Sequence, residues 1–145
     1  MLAIGCDHGG FELMQSVKKH LDESGIEYID FGTKTGEPID YPDIAKTVCQ
    51  AVVSGSCDKA LLFCGTGIGI SMAANKIKGI RAACCSDYFS AKYTRLHNDA
   101  NALCMGGRVV GAGLACELVD VFLATEFEGG RHQRRVDKLS ALEQE

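Results

Sequence analysis

Short apolar runs along the chain alternate with stretches whose apolar residues recur every three or four positions. The runs at about Leu2–Cys6, Glu27–Phe31, Ala60–Cys64, Arg81–Cys85 and Ala102–Met105 read as strands. Between them, Phe11, Met14, Val17 and Leu21 keep helical spacing, as do Ile44, Val48, Ala51 and Val52. Leu114, Ala115, Leu118, Val119, Phe122 and Leu123 do so again later. Gly25 suits the C-cap of the first helix because glycine tolerates positive φ. The crossovers at about 69–77 and 87–97 show weaker periodicity. Five strands with intervening helices predict an α/β fold, a five-stranded parallel sheet covered on both faces. Val136, Leu139 and Leu142 mark an additional C-terminal helix at about 131–143. No strand follows it, so it is expected on its own domain or on a partner subunit.

The 145 residues predict a single domain, 1–145, large enough to bury a core. With 46% hydrophobic and 23% charged residues, the chain is expected to be globular rather than disordered. A net charge of −4 leaves no footprint for nucleic acid or an anionic membrane. No apolar stretch approaches the roughly 20 residues that span a bilayer. The start Met1-Leu2-Ala3-Ile4-Gly5-Cys6-Asp7 lacks a basic n-region, so a cytoplasmic protein is expected.

Eight cysteines are present, none in Cys-x-x-Cys spacing, which removes the signatures of zinc ribbons and thioredoxin-type redox pairs. Most sit in apolar stretches, where cysteine behaves as a small hydrophobe. Cys64 differs by position. It ends the run Leu61-Leu62-Phe63 and opens Gly65-Thr66-Gly67-Ile68-Gly69, after which Ile70-Ser71-Met72-Ala73-Ala74 reads as helix. A strand, a glycine turn and a helix start present outward N–H groups that hold negative charge. A thiol at their lip adds chemistry.

Ligands of open parallel sheets bind outside the carboxyl ends of the strands. Strand one ends at Cys6-Asp7-His8-Gly9-Gly10, strand three at Cys64-Gly65-Thr66-Gly67, and strand five at Met105-Gly106-Gly107-Arg108. The helix before strand five ends near His97-Asn98-Asp99, and all of these are expected to gather at one sheet edge. Asp7 also suits a helix cap, and Gly106-Gly107 a turn. A dinucleotide fingerprint fails because Ile70 stands where the third glycine belongs. A Walker lysine is also missing. Arg131 and Arg135, four apart, fall on one face of a helix and form a fork suited to phosphate.

Five motifs together resemble the ribose-5-phosphate isomerase B family, which also contains the galactose-6-phosphate isomerase subunits. They are Gly5-Cys6-Asp7-His8-Gly9-Gly10-Phe11, Asp40-Tyr41-Pro42-Asp43, Cys64-Gly65-Thr66-Gly67-Ile68-Gly69, His97-Asn98-Asp99 and Glu128-Gly129-Gly130-Arg131-His132-Gln133-x-Arg135, spread over nearly the whole chain. The resemblance implies a Rossmann-like αβα sandwich and a homodimer with shared active sites, able to associate further into a tetramer. It implies no metal and no organic cofactor, and a sugar phosphate as substrate. It makes Cys64 the base that removes the C2 proton and Thr66 a proton relay between O1 and O2. His97 becomes the ring-opening acid, histidine being the side chain that titrates nearest neutrality. Asp7, Asn98 and Tyr41 would contact the sugar, and the amides of Gly65, Gly67, Ile68 and Gly69 the enediolate. His8, Arg108, Arg131 and Arg135 would hold the phosphate. Some relatives use a glutamate base; the thiol at position 64 matches the cysteine variety. The expected reaction interconverts D-ribose 5-phosphate and D-ribulose 5-phosphate. The alternatives are a hexose-6-phosphate isomerase acting on allose or galactose 6-phosphate, and a non-catalytic nucleotide- or sugar-phosphate-binding module.

Overall fold

The five apolar runs become strands in a computed structural model that describes residues 1–145: β1 (Leu2–Cys6), β2 (Tyr28–Asp30), β3 (Lys59–Cys64), β4 (Ala82–Cys84) and β5 (Ala102–Gly106). Six helices link and follow them: α1 (Phe11–Glu23), α2 (Tyr41–Val53), α3 (Ile68–Ala74), α4 (Tyr88–Asn98), α5 (Ala112–Ala124) and α6 (Arg131–Ala141). All strand pairs are parallel, in the order β2-β1-β3-β5-β4. The chain therefore winds outward from β1 to β2 and then crosses to β3 on the other side of β1. That reversal opens a crevice above the carboxyl ends of β1 and β3.

Successive side chains on a strand point to opposite faces, and β3 divides the core accordingly. Leu61 and Phe63 join the face covered by α1, α4 and α5. Ala60, Leu62 and Cys64 join the face covered by α2 and α3. Phe63 and Phe122 are wholly buried on the first face, and truncating either to alanine would cost about 3–5 kcal/mol. Cys64 thus belongs by parity to the face of α3, the helix its own turn initiates.

The two edges of the sheet are β2 and β4, each three residues long. Asn75, at the end of α3, covers part of β4. Its Nδ2 donates to the Ala82 carbonyl at 2.9 Å, and its Oδ1 accepts the Ala82 N–H at 2.8 Å. Helix α6 packs its buried His132 and Val136 on its own domain beside α4, and leaves Leu139, and Leu142 just after it, exposed. No helix is long and apolar enough to cross a membrane. All eight cysteines are unpaired.

Candidate active site

The loops after β1, β3 and β5 interlock over the crevice. Gly107 N–H donates to the Cys64 carbonyl at 2.8 Å, and Arg108 N–H to the Gly65 carbonyl at 3.0 Å. The backbones meet so closely that a Cβ on Gly107 would lie 2.5 Å from the Gly9 carbonyl oxygen. Only glycine fits there. Asp7 is buried and caps the turn that follows β1, its Oδ1 accepting the Gly10 N–H at 3.1 Å. His8, next to it, is exposed, and its Nδ1 accepts the Ile39 N–H at 3.4 Å.

Cys64 is 4% exposed at the end of β3. The turn after it bends through Gly67, whose φ of 81° lies in the left-handed region that glycine enters without strain. This bend aims the Gly67 N–H at the Cys64 Sγ, 3.1 Å away. The Ile68 N–H donates to the Thr66 Oγ1 at 3.1 Å. Two amides of the predicted cradle are therefore engaged within the chain, whereas those of Gly65, Thr66 and Gly69 have no acceptor. This corrects the expectation that every amide from Gly65 to Gly69 faces a substrate oxyanion. The free ones remain open to an acceptor from outside the chain. The Arg108 guanidinium crosses above Gly65, 3.1 Å from where a Cβ would stand. The ring of Tyr41, at the start of α2, packs against Gly69 and leaves no room for a Cβ, which would come within 2.8 Å of it.

The structure separates the remaining site residues from this cradle. A crossover helix runs back against the strands it links, so its C-terminus lies beside the start of the next strand. Helix α4 leaves the carboxyl end of β4 and ends with His97 and Asn98 at the amino end of β5. The expectation that His97-Asn98-Asp99 joins the other motifs at one edge is therefore corrected. Five residues of β5 put roughly 15 Å of sheet between the two ends. His97, Asn98, His132, Arg135, Val136 and Leu139 line a separate cleft of about 330 Å³. Arg131, beside His132 in the first turn of α6, stands at this end too.

Within the second group, the Glu128 carboxylate is 3.9 Å from the His97 Nε2, and the His97 and His132 rings stack with centroids 4.0 Å apart. Burial, then the neighbouring His97, with Arg131 and Arg135 adding to it, holds His132 below the ordinary imidazole value despite Glu128. Glu128 and His132 were legible only as parts of a motif, and neither was predicted as a site residue. The donor atoms of His97, Glu128 and His132 lie within 4.8 Å of one another, the spacing of a loose metal site. The two rings are only 13° from parallel, so their nitrogen lone pairs run side by side instead of converging. Two nearby arginines further disfavour a cation. This trio does not fit a metal.

With this geometry in place, the likeness to known proteins is specific. Residues 2–139 match the model of the Ribose/Galactose Isomerase family. Ribose-5-phosphate isomerase B of Escherichia coli is 52% identical over 143 residues, 99% of this chain and 96% of that protein. The ribose-5-phosphate isomerase B structure from Clostridium thermocellum superposes with a TM-score of 0.97 at 50% identity, covering 99% of this chain and 97% of the other. The Mycoplasma genitalium structure, with bound ribulose 5-phosphate, gives 0.94 at 40% identity, covering 99% of this chain and 96% of that one. The chain belongs to the ribose/galactose isomerase family of aldose-ketose isomerases.

Proposed function

We propose that this chain is a cytoplasmic ribose-5-phosphate isomerase that converts D-ribose 5-phosphate and D-ribulose 5-phosphate through ring opening and a cis-enediolate. The observation that carries the reading is Cys64. Its thiol ends β3, receives the Gly67 N–H, and adjoins three unengaged amides, in a chain of this family. Cys64 as thiolate takes the C2 proton of the open aldose, and the C–H electrons pass toward the C1 carbonyl. The Gly65, Thr66 and Gly69 amides stabilise the oxygen that becomes negative. The Thr66 hydroxyl carries a proton from O2 to O1, and Cys64 returns its proton to C1. Asp7, Asn98 and Tyr41 hold the sugar. Gly67 and Ile68 shape the cradle, their own amides serving the sulfur and Thr66. His8, Arg108, Arg131 and Arg135 hold the phosphate, and His97 protonates the ring oxygen as the ring opens.

The two groups cannot serve one substrate within a single chain, since roughly 15 Å of sheet lies between them. A two-fold partner resolves this by setting its His97, Asn98, Arg131 and Arg135 against the cradle, and the pairing makes two equivalent sites. Exposed apolar side chains stand at both ends: Ile68, Met72 and Phe89 near the cradle, Leu139 and Leu142 near the arginines. We therefore read the working enzyme as a homodimer.

Cys64→Ala is expected to cut turnover of ribose 5-phosphate, assayed without added metal, by about 100-fold or more. Its fold and substrate binding should persist. Turnover near that of the parent protein would remove Cys64 from the mechanism. The family also covers galactose-type isomerases, so allose 6-phosphate run in parallel tests the hexose reading. Binding of both sugars with turnover of neither would indicate a non-catalytic module.

A further inference from the structure

His97 is held from several sides. Its ring lies face to face with His132, 4.0 Å between centroids and 13° between planes. It also meets Tyr93 edge to face, at 5.0 Å and 78°. Tyr93 stacks in turn on Phe89 at 4.1 Å. Phe89, Tyr93 and His97 are each four residues apart, so one stripe of α4 carries all three rings. His132 arrives from α6 and closes the open face of the row.

His132 is 5% exposed, and its Nε2 is buried without a hydrogen-bond partner. An orphaned buried nitrogen costs about 1–3 kcal/mol, a poor use of histidine if its nitrogen were what mattered. What His132 supplies here is a flat face. Unclamped, the His97 ring would turn, because its side chain is 36% exposed and the second torsion of histidine is broad and soft.

We propose that His132 and Tyr93 are positioning residues that clamp the His97 imidazole in the plane from which it delivers a proton to the sugar ring oxygen. The proposal rests on His97 being the ring-opening acid. A neutral aromatic face stacked on the imidazole and the Tyr93 ring set at 78° to it fix the ring plane without competing for the proton. The clamp acts on ring opening alone and leaves proton removal by Cys64 untouched.

Two measurements separate these steps. Net turnover of ribose 5-phosphate requires ring opening. Deuterium wash-in at C1 of ribulose 5-phosphate in D2O requires only enediolate formation at Cys64, and no ring. His132→Leu is expected to lower kcat for ribose 5-phosphate about tenfold, with KM and wash-in within about twofold of the parent, because small misplacements of a catalytic group carry penalties of this order. His132→Phe restores the flat face and should recover most of that loss, the adjoining 330 Å³ cleft giving room for the larger ring. Tyr93→Leu should lose turnover in the same selective way, and Tyr93→Phe should not. Equal activity in the leucine and phenylalanine variants would overturn the clamp, as would a parallel fall in turnover and wash-in. His97→Asn is the reference. If it lowers turnover and wash-in together, the assignment of His97 as ring-opening acid fails. If it loses turnover selectively while His132→Leu changes nothing, the clamp alone fails.

Discussion

Mixing two inactive variants tests the division of the site between the two ends of the sheet. Cys64→Ala disables the cradle and leaves the His97 end intact; His97→Asn does the reverse. In a two-fold dimer of one chain of each, one site pairs the intact Cys64 with the partner's intact His97. The other site pairs both lesions. A 1:1 mixture after subunit exchange contains half heterodimers, each with one working site of two, so about a quarter of the parent activity should return. The assay is ribulose 5-phosphate formation from ribose 5-phosphate as exchange proceeds, with each variant alone as baseline. The structural basis is the roughly 15 Å of sheet between His97 and Cys64, too far for both to touch one pentose in a single chain. A control mixture of Cys64→Ala with Asp7→Ala, both lesions at the cradle, should recover nothing. If the Cys64→Ala and His97→Asn mixture also stays at baseline while heterodimers are shown to form, the shared site is refuted.

Three further outcomes follow from the geometry. Gly67→Ala should lower the urea midpoint by an amount equal to about 2 kcal/mol or more, from left-handed backbone strain and a Cβ placed 2.8 Å from the Met105 carbonyl carbon. Arg95 is buried, pairs with Asp99 at 2.8 Å and donates to the Ala100 and Thr125 carbonyls. Arg95→Met should therefore cost about 3 kcal/mol in the same measurement, because it strips a buried network of its donor. His132 is held below its ordinary value of 6.5, so on acidification the unfolded chain takes up this proton before the folded one. Its stabilising contribution is complete above that value and is lost as pH falls toward the folded value. Urea midpoints at pH 7.5 and 5.5 should show a smaller drop for His132→Phe than for the parent.

The strands were legible because each is an apolar run bounded by polar or glycine residues. All five appear in the structure, with ends displaced by at most about a residue. Helix α4 was harder to see. Tyr88 and Phe89 are exposed, and apolar side chains facing outward blur a 3.6-residue period. Helix α3 has seven residues, too few for the period to repeat. The cradle was legible because its chemistry is contiguous in sequence, from Cys64 to Gly69. The placement of His97 was misread because a motif's position in sequence does not state which way its helix runs. The contact between His97 and His132 joins α4 to α6, and no local pattern announces it. Tyr93 and His97, one turn apart, were the only visible hint.

Asn75 carries a further consequence. With Ala82 satisfied on its outer side by a single side-chain amide, and β4 only three residues long, this edge of the sheet is plugged at Ala82 instead of left as an open ladder. A second chain gains almost no hydrogen bonds by lengthening the sheet there. At that edge the strand-by-strand addition that an open parallel sheet invites is blunted by one side chain.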